Sequence, residues 1–535
     1  MKRTVAVVGM LAATLALGAC AGPGREGEAA GPPRPGGTLR YGLSQAPTCS
    51  DPAQSSTNQT LYVTRQIADS LTDQDPATGE ITPWLAHRWQ TSPDATTFTF
   101  HLREGVTFSD GTPLTAESVR ATLDSIVHTL GGAKAPLAAT YLAGYTGTEV
   151  VDPLTARVRF SAPNAQFLQA TSTPQLAILA AATTAKPAEQ RCLGDTIGSG
   201  PFTYAEYRQG DRVTLAKRAG YDWGSAVFAH RGEAYPDGIE FTVVPESGVR
   251  TGSLISGQLD AISDALPQDV SQIEAAGGRV ATASNPGLTF GLQPNVTRGP
   301  LRDRAVRTAL LRAINRQELV DTVLGPQFRP ASGPLAHTTP GYVNLAAEIQ
   351  FDLPAAQRIL DDAGWIAGAD GIRAKAGQRL SFGVLFSQVF AGNQAILELL
   401  QQQLRAAGVD LRLEAVSNAD YTVRQNSLDF DTIYYNTTRA DGDILRTNFG
   451  LDGRNLNDRG EIPALDAALS GQLRTVDTAE RARLIGEAQR LLLAEGLWLP
   501  TIELSQAIGV AATVQELKFE ASARLQFYDT WLSGR

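Results

Sequence analysis

Between Thr38 and Ser44, Leu39, Tyr41 and Leu43 occupy alternate positions, so this stretch is expected as a strand with one apolar face. The same period of two recurs at 97–103, where Phe98, Phe100 and Leu102 share a side. Further strands are expected at about 203–207, 212–217, 239–244, 380–386, 409–416 and 431–436. Helical spacing governs the segments between. Leu61, Ile67, Ala68 and Leu71 define a helix over Asn58–Leu71. Thr115 reads as an N-cap, with Glu117 favoured in the first turn, for a helix reaching about Leu130. Val306, Leu310, Ile314, Val320 and Val323 mark one long amphipathic helix from Arg302 to Leu324, closed by Gly325. Asp352 caps the next, with Pro354 in its first turn, and three more are expected near 393–407, 463–474 and 478–495. Strands alternating with helices argue an α/β fold, and 535 residues exceed what one hydrophobic core serves.

The amino terminus follows a different rule. Lys2 and Arg3 precede an apolar run from Val5 to Leu17, then small residues up to Cys20. That order is a secretory leader, too short to remain as a membrane-spanning helix. Leu17-Gly18-Ala19-Cys20 resembles the bacterial lipobox, in which the cysteine is acylated and becomes the new amino terminus. Residues 1–19 are therefore expected to be removed and Cys20 to carry lipid. Residues 20–37, rich in Gly, Pro and Ala, would form a flexible tether spanning roughly 20–25 Å, with folding beginning near Thr38. The mature protein is expected on the extracytoplasmic face of the cell membrane.

Charge and cysteine content sharpen this picture. Loss of Lys2 and Arg3 leaves 44 of the 46 basic residues against 55 acids, a net charge of −11. No Lys/Arg block stands out, which excludes nucleic acid as an expected partner and leaves membrane attachment to the lipid. With Cys20 acylated, Cys49 and Cys192 remain, either as a disulfide or as two buried thiols. An oxidising compartment favours the bridge, worth ~4–5 kcal/mol by chain entropy. There is no Gly-x-Ser-x-Gly, His-Glu-x-x-His or P-loop, and His87, His101, His128, His230 and His337 are scattered. Asp361-Asp362 reads as the solvated face of a helix. No catalytic residue, cofactor or metal-ligand set is expected, and five His and two Met are few for direct metal capture.

A run of landmarks carries the strongest signal. Pro83-Trp84-Leu85-Ala86 and Trp89 lead to Phe98 through Arg103, Gly105-Val106, Phe108-Ser109-Asp110-Gly111 and Pro113 through Val119. Later come Gly198-Ser199-Gly200-Pro201-Phe202, Ser256-Gly257-Gln258-Leu259-Asp260, Val306-Arg307 with Ala313-Ile314-Asn315-Arg316, and Ala363-Gly364-Trp365 with Asp370-Gly371. In this order the pieces resemble the signature of the extracellular solute-binding proteins, family 5, the peptide and nickel class of ABC-importer receptors. The resemblance implies a periplasmic-binding-protein type II fold, two lobes around a hinge and cleft with a third subdomain. Lobe I would be discontinuous over 38–82, 196–285 and 500–535, the additional subdomain 83–195, and lobe II 286–499. Asp110-Gly111 is expected to make a turn, Trp84 and Trp89 to fill core, and Gly198 and Gly200 to give the backbone room at a crossing between lobes.

The resemblance also implies a site. In peptide-binding members the ligand backbone pairs like an added strand with a segment from each lobe, and an aspartate in a Trp-x-Ala-Asp-like stretch neutralises its ammonium. Asp441 falls on that aspartate, Thr437 and Arg439 on the pairing segment, and Ser56 and Asn58, after Asp51-Pro52, on the opposite strip. The stretch departs from the pattern: it lacks Trp, carries Arg439 where a small residue is common, and has Gly442-Asp443 where Asp-Pro often follows. Arg439 would either clamp an anionic group of the ligand or pair with Asp441 or Asp443 and shape the wall. The expected function is a monomeric, membrane-anchored receptor that captures oligopeptides and hands them to an ABC permease. A receptor for nickel or metal–chelator complexes or another carboxylated metabolite is the alternative, and a sensor or scaffold lipoprotein without transport the second.

Overall fold

Two mixed sheets, each assembled from strands far apart in sequence, set the architecture of the computed structural model. It describes residues 31–55, 57–388, 390 and 392–534, and Pro33–Arg535 forms one contact unit. Cys20, the leader, most of the tether and Ser56 lie outside the described residues. In the first sheet the strands run Arg279–Ser284, Ser505–Val510, Ala261–Ile262, Thr38–Leu43, Gly238–Val243, Arg212–Lys217 and Phe202–Arg208. Thr38–Leu43 pairs in parallel with strands on both sides, which buries Leu39, Tyr41 and Leu43 completely. The second sheet runs Arg329–Pro330, Leu499–Glu503, Gly287–Pro294, Thr432–Thr438, Ser381–Ser387 and Asp410–Val416. A four-stranded antiparallel sheet, Ala86–Thr91, Thr97–Leu102, Thr155–Phe160 and Tyr145–Asp152, makes the third subdomain.

The chain passes between the two large sheets twice, at Asn285–Pro286 and at Leu504. Leu499–Glu503 pairs with Gly287–Pro294, so the second lobe extends to Glu503 and the boundary expected at 500 moves to Leu504. The third subdomain has no core of its own. Phe98, Phe100, Val158 and Phe160 join Leu39, Phe241 and Val514 in one continuous cluster, so it is fused to the first lobe. A separate cluster around Leu292, Leu310, Phe382, Leu400 and Leu499 supports the second lobe. Order begins slightly before Thr38, since Gly36 N–H donates to Tyr235 O and Gly37 O accepts from Asp237 N–H.

Two expected helices are shorter than their periodicity, for identifiable reasons. The first ends at Thr64, and the carbonyls of Gln66 and Ile67 accept from Phe202 and Gly200 N–H at 3.1 and 2.8 Å. A Cβ on Gly198 would lie 2.2 Å from Ile67 O and one on Gly200 2.5 Å from Ile67 C. The two glycines do serve a backbone crossing, but it lies within the first lobe. The second is Arg304–Ala313, broken at Ile314 and restarted by Asn315 as a new N-cap. Arg316, buried behind the break, donates to Pro500 O, Leu311 O, Ile314 O and Ile349 O. The carbonyls freed by the break thereby find donors. Elsewhere pattern and structure agree: Thr115 heads the helix Ala116–Asp124 through a capping box with Ser118, and Asp352 caps Leu353–Asp362. Trp84 is fully buried with the Arg65 guanidinium 4.6 Å from its ring, and Trp89 packs partly buried on the same cluster.

Cys49 and Cys192 are joined in a disulfide with Cα atoms 4.1 Å apart, closing a separation of 143 residues that contains the whole four-stranded sheet of the third subdomain. Beside it, Ser50 Oγ donates to Arg191 O and Arg191 lies 3.6 Å from the buried Asp51 carboxylate. The link restrains a long loop in the unfolded chain, an effect of at most ~5 kcal/mol by loop entropy. Reduction, or the double substitution Cys49→Ser with Cys192→Ser, is expected to lower the melting temperature by a margin that reductant no longer affects in the double variant. Equal melting of oxidised and reduced wild type would refute this role.

Candidate functional site

The strand Thr432–Thr438 delivers the candidate segment to the junction between lobes. Its partner strand starts at Gly287, whose φ of +107° and tight surroundings require glycine: a Cβ there would lie 2.3 Å from Thr437 O and 2.6 Å from Arg439 N. Arg439 N–H then donates to Pro286 O at the first crossing point. The chain turns through Ala440, Asp441 and Gly442 into the short helix Ile444–Phe449, so a few residues place three charged side chains in a buried turn.

Asp441 is 2 % exposed, and both of its oxygens are engaged. Arg481, from the helix Thr478–Ala494, donates Nη2 to Oδ1 at 2.6 Å and Nη1 to Oδ2 at 2.7 Å, and Asp443 N–H donates to Oδ1 at 2.7 Å. Burial alone would raise the carboxyl pKa, but the Arg481 charge and hydrogen bonds outweigh it and hold the group below the usual carboxylate range. Asp443 is likewise taken, by Arg446 Nε at 2.8 Å and Nη2 at 3.0 Å, with Gln472 Nε2 also donating to it. The expected ammonium role for Asp441 therefore meets a carboxylate already neutralised by a bidentate partner.

Arg439 is in the opposite condition. It is 1 % exposed, its Nη1 donates to Thr447 Oγ1 at 2.8 Å and lies 3.7 Å from Asp443, yet Nε and Nη2 have no hydrogen-bond partner among the described residues. Its guanidinium carbon sits 4.5 Å from the ring centroid of Tyr141, the last residue of the helix Pro136–Tyr141 in the third subdomain. A cation of one lobe thus rests on an aromatic face of the other.

The lobes touch around this contact. Gln74 Nε2 donates to Ala440 O at 3.3 Å, Gln169 Nε2 donates to Gln74 Oε1, and Ala165 N–H donates to Leu473 O. A small cavity of about 10 Å³ lies between Asp73, Gln74, Gln169 and Pro174 on one side, Ala440 on the other, and residues 520–522 of the carboxy-terminal hairpin. Gln169 Oε1 and Gln175 Nε2 lack partners among the described residues. A solute larger than water enters only when the lobes part, which the two single-strand crossings permit.

The other predicted residues fare differently. Thr437 is half-buried at the end of its strand, opposite Leu288. Asn58 is the first residue of the helix Asn58–Thr64, and its Nδ2 donates to Gln506 Oε1 at 3.3 Å. Gln506 also accepts from Tyr62 OH and donates to Asn285 Oδ1, whose Nδ2 donates to Thr438 Oγ1. Asn58 therefore belongs to a polar network tying the two crossings to the first lobe. Arg481 and Tyr141 carry no motif. A basic residue in the first turn of a helix was the sole sign of Arg481, and Tyr141 reads as ordinary core.

The family model for bacterial extracellular solute-binding proteins, family 5 (middle), matches residues 80–451. The chain belongs to this family. It is 30% identical over 448 residues to protein XP55 of Streptomyces lividans, covering 80% of this chain and 77% of that protein. It is 26% identical over 489 residues to the nickel-binding periplasmic protein of Escherichia coli K12, covering 84% and 87%. The crystal structure of NikA from Brucella suis in complex with Fe(III)-EDTA superposes with a TM-score of 0.80 at 24% identity, over 93% of this chain and all of that one. The family 5 protein is thus an ABC-importer substrate-binding protein of type II periplasmic-binding-protein fold, and its relatives are extracytoplasmic transport receptors.

The Asp441–Arg481 pair yields a direct expectation. Arg481→Ala strands a buried carboxylate, and a loss of about 3–5 kcal/mol in unfolding free energy is expected by urea titration. Because the folded pKa of Asp441 is lowered, the pair contributes fully above the ordinary carboxylate pKa, and its contribution is lost as pH falls through the lower folded value. The acid sensitivity of the wild type in that window should be absent from Asp441→Asn/Arg481→Gln. A variant Arg481→Ala as stable as wild type at neutral pH would show the pair to be idle.

Proposed function

We propose that the mature protein, lipid-anchored through Cys20 on the extracytoplasmic face, captures a small carboxylate-bearing solute between its lobes and delivers it to the permease of an ABC importer. The observation that carries this reading is Arg439, a buried guanidinium with two unpartnered nitrogens, 4.5 Å from an aromatic ring of the opposite lobe. A guanidinium keeps its charge at any biological pH and matches a carboxylate in a bidentate fork. An anionic group placed there would complete its hydrogen bonds and touch both lobes, favouring the closed form.

Oligopeptides enter this reading by their carboxy terminus, because the carboxylate expected to hold an ammonium is occupied by Arg481. A metal–chelate complex or a carboxylated metabolite enters in the same way and needs no ammonium site. This ordering reverses the emphasis of the sequence pattern, which favoured peptides held by a free amino terminus. A relative named for nickel and a structural neighbour crystallised with Fe(III)-EDTA are consistent with carboxylate-rich cargo.

Isothermal titration calorimetry with a tetrapeptide, the same peptide amidated at its carboxy terminus, and Fe(III)-EDTA tests the reading. Carboxylate-bearing probes should bind, amidation should weaken the peptide, and Arg439→Gln should reduce affinity roughly 10–100-fold. Preferential binding of the amidated peptide, or full affinity in Arg439→Gln, would overturn it.

A further inference from the structure

One carboxylate on the cavity between the lobes has no cationic partner, and it belongs to the first lobe. Asp73 lies in the strand Thr72–Gln74, which pairs with Ile81–Pro83, and is 4 % exposed. Its Oδ1 accepts from Gln74 N–H at 2.8 Å, and it forms no ion pair among the described residues. Arg65, whose charge reaches it, is committed to Glu520 at 2.7 Å, Ser70 Oγ and Ser172 O. Burial pushes the Asp73 carboxyl up to about 6, against the Arg65 charge and hydrogen bonds from Ser225 and Gln74. A second cavity, of about 60 Å³, shares Asp73, Gln74 and Glu520 with the first and has no second-lobe residue on its wall.

The amides beside Asp73 are oriented by backbone. Gln74 Nε2 donates to Gly79 O at 3.1 Å and to Ala440 O at 3.3 Å, so both of its protons are used and Gln74 Oε1 acts as acceptor. Gln169 Nε2 donates to that oxygen at 3.1 Å. The relay leaves Gln169 Oε1, from the helix Phe167–Ala170 on the cavity wall, buried with no donor among the described residues. Two acceptors, one of them charged, therefore share the first-lobe wall. A buried acceptor is completed by a donor, and a buried carboxylate by a cation. The cavity of about 10 Å³ has room for one water-sized group, and an ammonium is of that size.

The other charges near the junction are paired or lie elsewhere. Asp441 pairs with Arg481, Asp443 and the exposed Asp452 with Arg446, Glu520 with Arg65, and Asp529 with Lys518. Arg524 is buried without an ion pair among the described residues but lines neither cavity, and neither does Gln175 with its unpartnered Nε2. Gln526, whose Nε2 also lacks a partner, lines only the first-lobe cavity. The second lobe's incomplete group is Arg439, next in the chain to Ala440 on the opposite wall.

We infer that Asp73 and Gln169 Oε1 form an amine subsite on the first lobe, which receives a primary ammonium group of the cargo. The inference deepens the reading of Arg439 as a carboxylate anchor and rests on that reading for the other end of the cargo. Together the two ends select an amino-carboxylate, held by its amine on the first lobe and its carboxylate on the second, whereas the Asp441 motif places the amine on the second. A chelate without an amine leaves this subsite empty.

Calorimetry of the mature protein with Ala-Ala, tetra-alanine, their N-acetylated forms and Fe(III)-EDTA tests this. Free-amine peptides should bind roughly 10–100-fold more tightly than acetylated ones. Asp73→Asn should bring that ratio toward one, a readout that a purely structural role for Asp73 would not move, and Gln169→Met should reduce it roughly 3–10-fold. Arg439→Gln should weaken free and acetylated peptides alike and keep the ratio. An unchanged ratio in both Asp73→Asn and Gln169→Met would overturn the subsite and leave Arg439 in place. A collapsed ratio in Asp73→Asn with full affinity in Arg439→Gln would remove the carboxylate anchor and leave the subsite. Equal binding of free and acetylated peptides by the wild type, or binding of Fe(III)-EDTA with no free-amine peptide bound at millimolar concentration, would overturn the inference, and failure of every probe would overturn both readings.

Discussion

A guanidinium cannot shed its proton to escape burial, so each buried arginine must find acceptors or an opposing charge. That constraint organises the junction between the lobes. Arg481, Arg446 and Arg65 meet it with carboxylates, and Arg316 with four carbonyl oxygens that leave only its Nη2 without a partner among the described residues. Arg439 meets it in part, through Thr447, a distant edge of Asp443 and the face of Tyr141. The geometry around Arg439 is set by backbone, not by the side chain: Gly287 admits the close approach of residues 437–439, and Pro286 O receives Arg439 N–H. The arginine is therefore delivered to one place by the crossing that also serves as the hinge, and its remaining hydrogen-bonding capacity is a property of the fold.

The hinge has its own polar logic. Each crossing is a single strand, and single strands bend readily, but Asn285 and Gln506 link them across the gap and Tyr62 ties Gln506 to the first lobe. Glu503, the last residue before the second crossing, accepts from His337 N–H at 3.1 Å and from its ring nitrogen at 2.5 Å. The Asn285–Gln506 link ties the two crossings together, the His337–Glu503 bonds stiffen the second lobe beside them, and Gln74 to Ala440 is a single modest contact between the lobes. A receptor of this kind needs both: a pivot that persists and a face of modest contacts that a solute can replace.

Much of the scaffold was legible from pattern alone. Alternation in Thr38–Leu43 and Thr97–Leu102 and capping residues such as Thr115 and Asp352 each act locally, so they survive in the linear record. The helices expected over 58–71 and 302–324 are shorter in the structure because their ends are decided by distant partners. Gly200 and Phe202 draw off the carbonyls of the first, and Arg316 with Asn315 reorganises the second. The site was half legible for the same reason. Residues 437–443 announced themselves by position, but whether Asp441 is free or spent depends on Arg481, forty residues later on another helix. A charge's availability is a tertiary property that its neighbours in sequence do not encode.

Burial of Arg439 also bears on why such a fold opens. Closed, its Nε and Nη2 have neither water nor a partner among the described residues, and the face of Tyr141 offsets only part of that loss. A solute that contributed acceptors there would remove the penalty, and by linkage the free energy it gained in the closed form would be the free energy by which it shifted the population.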